Sequence, residues 1–165
     1  MPVQLIDENN VREMSDLERF VYCENTLKND PDESKRWDAV WLVGEMIEER
    51  DINKEMKQKI ADLLEWTLRN DENGVVKHEA SFQIAARNLR DKIPVLVDIS
   101  LNDDSILSKH EAIEALGLMR AFEVKELIRK SLNDPSKDVR ETAQFVLKRF
   151  ARLQGSGEYK PSQYL

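Results

Sequence analysis

The chain has 165 residues, of which 41% are hydrophobic and 35% charged, with five glycines and five prolines. This length supports one domain whose core needs neither a disulfide nor a structural metal, and Cys23 has no second cysteine to pair with. The sequence shows no apolar signal segment and no run of about 18 apolar residues, so we expect a soluble cytoplasmic protein without a membrane span. The net charge of -7 argues against a nucleic-acid partner and favours a cationic one.

The N-terminal segment, residues 1–30, predicts one helix that caps the rest of the domain. Its apolar residues follow helical spacing over residues 11–28, and the sequence Asp30-Pro31-Asp32 ends it. Because the chain contains so few glycines and prolines, we expect the remaining domain, residues 31–154, to be all-α. Residues 155–165 contain turn-forming residues without periodicity, which predicts a flexible C-terminal tail.

Four segments of this domain can be aligned with one another. They are SKRWDAVWLVGEM from Ser34, VVKHEASFQIAARNL from Val75, LSKHEAIEALGLM from Leu107 and DVRETAQFVLKRF from Asp138. Their anchor alanines lie 41, 32 and 31 residues apart, at Ala39, Ala80, Ala112 and Ala143. A second amphipathic run follows each of the first three segments. Periods in this range predict a HEAT-like (α-α superhelix) repeat solenoid of about four helical hairpins.

The chain has two histidines, His78 and His110, and they occupy the same position in consecutive repeats. Each is preceded by Lys and followed by Glu and Ala. Since one repeat separates them, the two imidazoles should stand on neighbouring parallel helices whose axes lie about 8–10 Å apart. We place both histidines in the first turn of their helix, where the positive end of the helix dipole disfavours imidazolium. A neutral ring keeps one nitrogen free to bind a metal.

Glu79 and Glu111 directly follow the two histidines. Adjacent residues are turned about 100° around a helix, so neither carboxylate can easily share a metal with the histidine beside it. One chain therefore offers two nitrogens to one metal and its carboxylates to a second position. This arrangement looks like half of a symmetric two-metal site, which a two-fold dimer would complete.

The same residues also admit a purely structural interpretation. A histidine near a helix start can be a capping or interface residue, and Lys-His-Glu-Ala could be a repeat consensus that only packs. The flanking repeats argue against a consensus, because they carry Trp37-Asp38 and Glu141-Thr142 at the equivalent positions. Metal binding is therefore the preferred hypothesis.

Residues 68–154 resemble one half of deoxyhypusine hydroxylase, the HEAT-repeat di-iron monooxygenase. The segments KHEASFQIAARN and KHEAIEALGLM look like the two His-Glu segments of such a half. KIPVLVDISLND is similar to the helix between them, and DPSKDVRETAQFVLKRFARLQ resembles the close of the half. The family enzyme is similar to two such halves joined in one chain, with four His-Glu motifs around two irons. This chain has two of the four motifs, so the family's activity transfers only if two chains assemble.

The resemblance implies a role for each motif residue. His78 and His110 would bind one iron, and Glu79 would reach the iron held by the opposite half. Glu111 would be either a metal ligand or a catalytic residue near the substrate amine. The resemblance also implies a homodimer with two irons and dioxygen as a reactant. Its protein substrate would be a translation factor that carries a deoxyhypusine-like, lysine-derived side chain, a cation compatible with an acidic chain.

Two other functions remain open for the same features. A metal-free HEAT-repeat scaffold would bind a protein on its concave face and would need no dimer. A metallohydrolase or lyase would use the same ligands for zinc or manganese, because ligand type alone leaves the metal ambiguous. The metal content of the purified protein separates the three hypotheses.

Overall fold

The computed structural model describes residues 6–155, and every regular element in that range is helical. The α-helices are α1 Glu8–Glu13, α2 Asp16–Asn29, α3 Glu33–Gly44, α4 Met46–Glu49, α5 Lys54–Asn70, α6 Gly74–Ala86, α7 Ile93–Asn102, α8 Ile106–Leu118, α9 Lys125–Lys130 and α10 Lys137–Gly155. None of the helices in this range is long and apolar enough to cross a membrane. The predicted tail lies, from residue 156 onward, outside the described residues.

Eight of these helices form two layers. In the first layer α3 packs on α6, α6 on α8, and α8 on α10. The second layer consists of α2, α5, α7 and α9, and each of these packs against the first-layer helix that follows it in the sequence. Four stacked helix pairs result, which confirms the predicted all-α, HEAT-like solenoid.

The N-terminal segment forms two helices where the apolar spacing predicts one over residues 11–28. Ser15 separates α1 from α2: its Oγ accepts a hydrogen bond of 3.3 Å from the backbone N–H of Glu18, and the Glu18 carboxylate accepts one of 3.2 Å from the N–H of Ser15. This reciprocal capping box satisfies the free donors at the start of α2. The prediction of one continuous helix is wrong because the Ser-x-x-Glu signal lies inside the apolar pattern and starts a new helix.

The core is built on the residues that define the repeats. The four anchor alanines are each 0% exposed, and their small side chains let the first-layer helices approach closely. Gly44 serves the same purpose between α3 and α6, because a Cβ at this position would overlap the side chain of Gln83. Cys23 is also fully buried, and burial raises the pKa of its thiol to about 12, so it belongs to the core.

Three buried carboxylates, which we call the aspartate ladder, connect successive repeats. Each accepts a basic side chain from the preceding first-layer helix at 2.8 Å: Arg36 to Asp71, Lys77 to Asp103, and Lys109 to Asp134. Each also accepts a backbone N–H from the residue two positions further on, at 2.8–2.9 Å: Asn73, Ser105 and Ser136. A single carboxylate therefore joins one helix to the turn that begins the next first-layer helix.

The corners after α6 and α8 also repeat. Asn88 and Arg120 both have a φ of 51°, the left-handed conformation common at helix C-termini. In each corner the following residue donates back to a carbonyl inside the helix, Leu89 to Ile84 at 2.9 Å and Ala121 to Leu116 at 3.0 Å. The two histidine-bearing helices therefore end in the same way.

The aspartate ladder generates a stability prediction. Replacing Asp103 by Ala leaves the largely buried ammonium of Lys77 without its partner and removes a turn cap, so we expect the free energy of unfolding to fall by about 3 kcal/mol. The matched control is Asp104→Ala at the exposed neighbouring position, which should change it by less than about 0.5 kcal/mol. Urea titration followed by circular dichroism measures both. Equal stability of the two variants would contradict the role given to the ladder.

Candidate metal centre

The helices that carry the two motifs begin earlier than the sequence suggests. Asn73 caps α6 by accepting from the N–H groups of Val75 and Val76, and Ser105 caps α8 by accepting from the N–H of Ser108. His78 and His110 are consequently the fifth residue of their helices. The prediction that they lie in the first turn is wrong, and the helix dipole acts mainly within that first turn.

A different cause keeps the His78 ring neutral. Burial, first, and the charge of the nearby His110, second, lower the pKa of His78 below its ordinary value. The helix-dipole explanation is therefore replaced by desolvation and by repulsion between the two rings. The two imidazoles are close enough on α6 and α8 to act on each other, as their one-repeat spacing predicts.

His78 contacts the carboxylate of the second motif. Its Nε2 lies 2.9 Å from Oε2 of Glu111, across the gap between α6 and α8. Glu111 is 7% exposed, and burial, followed by the charges of Glu114 and Glu79, raises its pKa to about 7. Near neutral pH the carboxyl and the imidazole can thus share one proton.

Glu79 is held by its own helix. It is 7% exposed, and burial raises its pKa. Its Oε1 accepts a 3.0 Å hydrogen bond from Nε2 of Gln83, whose Oε1 in turn accepts one of 3.1 Å from Arg87. Arg87 also pairs with Glu48 at 2.6 Å. This chain of contacts fixes the orientation of the Glu79 carboxylate.

His110 contacts the next first-layer helix, α10. Its Nδ1 lies 2.7 Å from the hydroxyl oxygen of Thr142 on α10. Thr142 occupies, in the last repeat, the position that Glu79 and Glu111 occupy in theirs. Each histidine thus meets the residue at the Glu position of the next repeat. The repeat pattern predicts no function for Thr142, although comparing each histidine with the Glu position of the next repeat indicates this contact.

A cavity of about 590 Å³ opens beside His110 and Thr142. Its wall combines apolar side chains with carboxylates: Ile106, Leu107, Phe145, Glu114, Asp138 and Glu141. Two of the apolar side chains are about half exposed, Phe145 at 59% and Ile106 at 52%. Such a lining suits an alkyl chain that carries a positive charge.

The donor set fits a divalent metal in kind. Imidazole nitrogens and carboxylate oxygens are together suitable ligands for iron, zinc or manganese. Burial raises the pKa values of the Glu79 and Glu111 carboxyls, and for Glu79 the hydrogen bond from Gln83 and the charge of Arg87 offset this only in part. Within residues 6–155 no three His, Cys, Asp or Glu side chains are grouped so that they could hold a metal. The ligand roles of His78, Glu79, His110 and Glu111 stay predictions.

Comparison with known proteins identifies the class. The family model for HEAT repeats matches residues 60–148, and the chain belongs to this family of helical-repeat proteins. Deoxyhypusine hydroxylase of Bos taurus is 35% identical over 98 residues, which are 57% of this chain and 32% of that protein. The Arabidopsis thaliana deoxyhypusine hydroxylase is 31% identical over 143 residues, 85% of this chain and 42% of its own length.

A solved structure shows the same fold. Human deoxyhypusine hydroxylase, in complex with glycerol, superimposes with a TM-score of 0.72 at 23% identity, over 92% of this chain and 50% of that chain. The chain spans 32–42% of the length of the two relatives named above. The resemblance to one half of deoxyhypusine hydroxylase is thereby confirmed.

Because both imidazoles lie outside the fully buried core, the fold should not depend on them. The variant His78→Ala, His110→Ala should keep the helical circular dichroism of the parent protein at room temperature, since solenoid stability is a sum of repeat and neighbour contributions. Leu116→Ala, at a fully buried position, is the contrasting variant and should lose about 2–5 kcal/mol. Global unfolding of the double histidine variant would show that the motifs are structural.

Proposed function

We propose that two copies of the chain assemble into a non-haem di-iron hydroxylase resembling deoxyhypusine monooxygenase. Its substrate is a deoxyhypusine-like, lysine-derived side chain of a translation factor in the cytoplasm. The observation that carries the proposal is the pair of His-Glu motifs, one repeat apart on neighbouring helices, in a fold that matches half of the human enzyme's chain. The sequence similarity to deoxyhypusine hydroxylases from animals and a plant supports it.

In this proposal one iron is held by His78 and His110 of one chain and by Glu79 of the partner. Iron in such a centre supplies the activation of dioxygen, which protein side chains cannot perform. Glu111 is either a further ligand or the group that faces the substrate amine. Its pKa of about 7 suits the second role, because a carboxyl near its pKa can accept or return a proton at neutral pH.

The surface around the motifs supports a second copy as the partner. Val75 lies one turn before His78 and is 53% exposed, and Ile106 lies one turn before His110 and is 52% exposed. Phe145, one turn beyond Thr142, is 59% exposed. In an isologous dimer this apolar surface would meet its own copy and be buried together with the motifs.

Charge supports the proposed substrate class. The chain has a net charge of -7, and the cavity beside His110 has carboxylates of Glu114, Asp138 and Glu141 in its wall. A long amine with an aliphatic arm matches both the acidic and the apolar parts of that wall.

Metal content tests the proposal directly. Protein purified without chelator should contain about one iron per chain, because each chain supplies one pair of imidazole ligands. The His78→Ala, His110→Ala variant should lose this iron, whereas Asp104→Ala, at an exposed position outside the motifs, should keep it. Elemental analysis measures all three proteins. Iron far below one per chain and unchanged in the double variant would refute the centre, and stoichiometric zinc or manganese would favour a hydrolase or lyase.

Complementation between two defective chains tests the shared site. We expect sedimentation to show a dimer, and neither the His78→Ala, His110→Ala chain nor a Glu79→Ala chain should form a complete metal position with itself. A mixture of the two should restore one position per heterodimer, because the histidines of the second chain meet the Glu79 of the first. Iron content near half that of the parent dimer is the expected result for the isolated heterodimer, and near one quarter for a 1:1 mixture in which the chains pair at random. A strictly monomeric protein that binds iron tightly would refute the shared site.

A further inference from the structure

The hydroxyl of Thr142 lies between two hydrogen-bonding groups. Its Oγ1 is 2.7 Å from Nδ1 of His110 and 2.7 Å from the backbone carbonyl oxygen of Asp138, one turn earlier on α10. Thr142 is 5% exposed, so water does not readily replace either contact. Both distances are in the range of strong hydrogen bonds.

The number of protons determines the direction of each bond. A threonine hydroxyl has one proton to donate, and a carbonyl oxygen can only accept. If the hydroxyl donated to His110, its oxygen would face the Asp138 carbonyl oxygen at 2.7 Å with no proton between them, which is repulsive. Both contacts are favourable only if the hydroxyl donates to Asp138 and accepts from an N–H of the ring. His110 therefore carries its proton on Nδ1.

We propose that Thr142 is a positioning residue that fixes His110 as the Nδ1–H tautomer and leaves the Nε2 lone pair for a metal. The identity of the ligand as a metal rests on the proposed function, whereas the tautomer rests on the contacts of Thr142 with His110 and Asp138 alone. A metal-bound histidine commonly donates its other N–H to a neighbouring acceptor, which fixes the tautomer and the orientation of the ring.

The two histidines differ in this respect. His78 presents Nε2 to the carboxyl of Glu111 at 2.9 Å, and that carboxyl lies on the next first-layer helix. His110 presents Nδ1 to the hydroxyl of Thr142, whose only proton is donated to the carbonyl oxygen of Asp138. The residues at the Glu position of the next repeat therefore differ for the two histidines, and the hydroxyl of Thr142 specifies which ring nitrogen of His110 carries the proton.

Nitrogen-15 NMR of the metal-free protein tests the tautomer. At about pH 8, above the ordinary imidazole pKa of about 6.5, the ring correlations distinguish the Nδ1–H from the Nε2–H tautomer. The chain has two histidines, so His78→Ala assigns the remaining ring to His110. We expect the Nδ1–H pattern in the parent protein and in Thr142→Ser, and its loss in the isosteric Thr142→Val. An Nε2–H pattern in the parent, or no change in Thr142→Val, overturns the proposal.

Titration with Co(II) provides the second readout. Removing a hydrogen-bond partner of a metal-bound histidine costs about 10–100-fold in metal affinity, so Thr142→Val should bind Co(II) at least about tenfold more weakly. Thr142→Ser should restore the parent affinity, and circular dichroism checks that both variants are folded. Equal affinity of the parent and Thr142→Val overturns the positioning role. A parent protein that shows the Nδ1–H tautomer but binds no Co(II) supports the Thr142 contact and overturns the metal centre of the proposed function.

Discussion

The offset between successive first-layer helices is the constraint on which the candidate site depends. The aspartate ladder sets it, because one carboxylate holds the side chain of one helix and the turn that begins the next. Lys77 and Lys109, the basic members of two of its contacts, directly precede His78 and His110. Fixing the lysine fixes the rotation of the helix at that level, and the next residue points about 100° further around the axis. The repeat that stabilises the stack therefore also directs the imidazoles.

Because of this offset, the polar contacts of the motifs run between repeats. The histidine of one helix faces the Glu position of the next, which gives His78 a carboxyl partner and His110 a hydroxyl partner. The repeat before Glu79 has Trp37 instead of a histidine at the equivalent position, and Glu79 is held by Gln83 on its own helix. The same repeat unit thus produces three different environments, and the difference arises from what the neighbouring repeat supplies.

Much of this arrangement could be predicted from the sequence, and the failures have identifiable causes. The alanine spacing correctly predicts the stacked fold, because small anchors are needed wherever helices touch. The break at Ser15 is not evident from the apolar periodicity, which continues across it, although the cap outweighs that pattern locally. The motif alone predicts the histidines one turn too early in their helices, since Asn73 and Ser105 cap the helices several residues before it. The contact of Thr142 requires the offset between helices, which is a tertiary property that no single repeat contains.

Because of the position of α10, the contact of His110 with Thr142 opens more easily than the contact of His78 with Glu111. Among the described residues α10 is the last first-layer helix, with a first-layer neighbour, α8, on one side only. Solenoids open most easily at their ends, at a free energy below that of global unfolding. Such an opening would separate Thr142 from His110 while His78 and Glu111 stayed together between α6 and α8. The orientation of the His110 ring then depends on whether α10 stays packed on α8. Any contact that stacks on α10 would hold Thr142 against that ring.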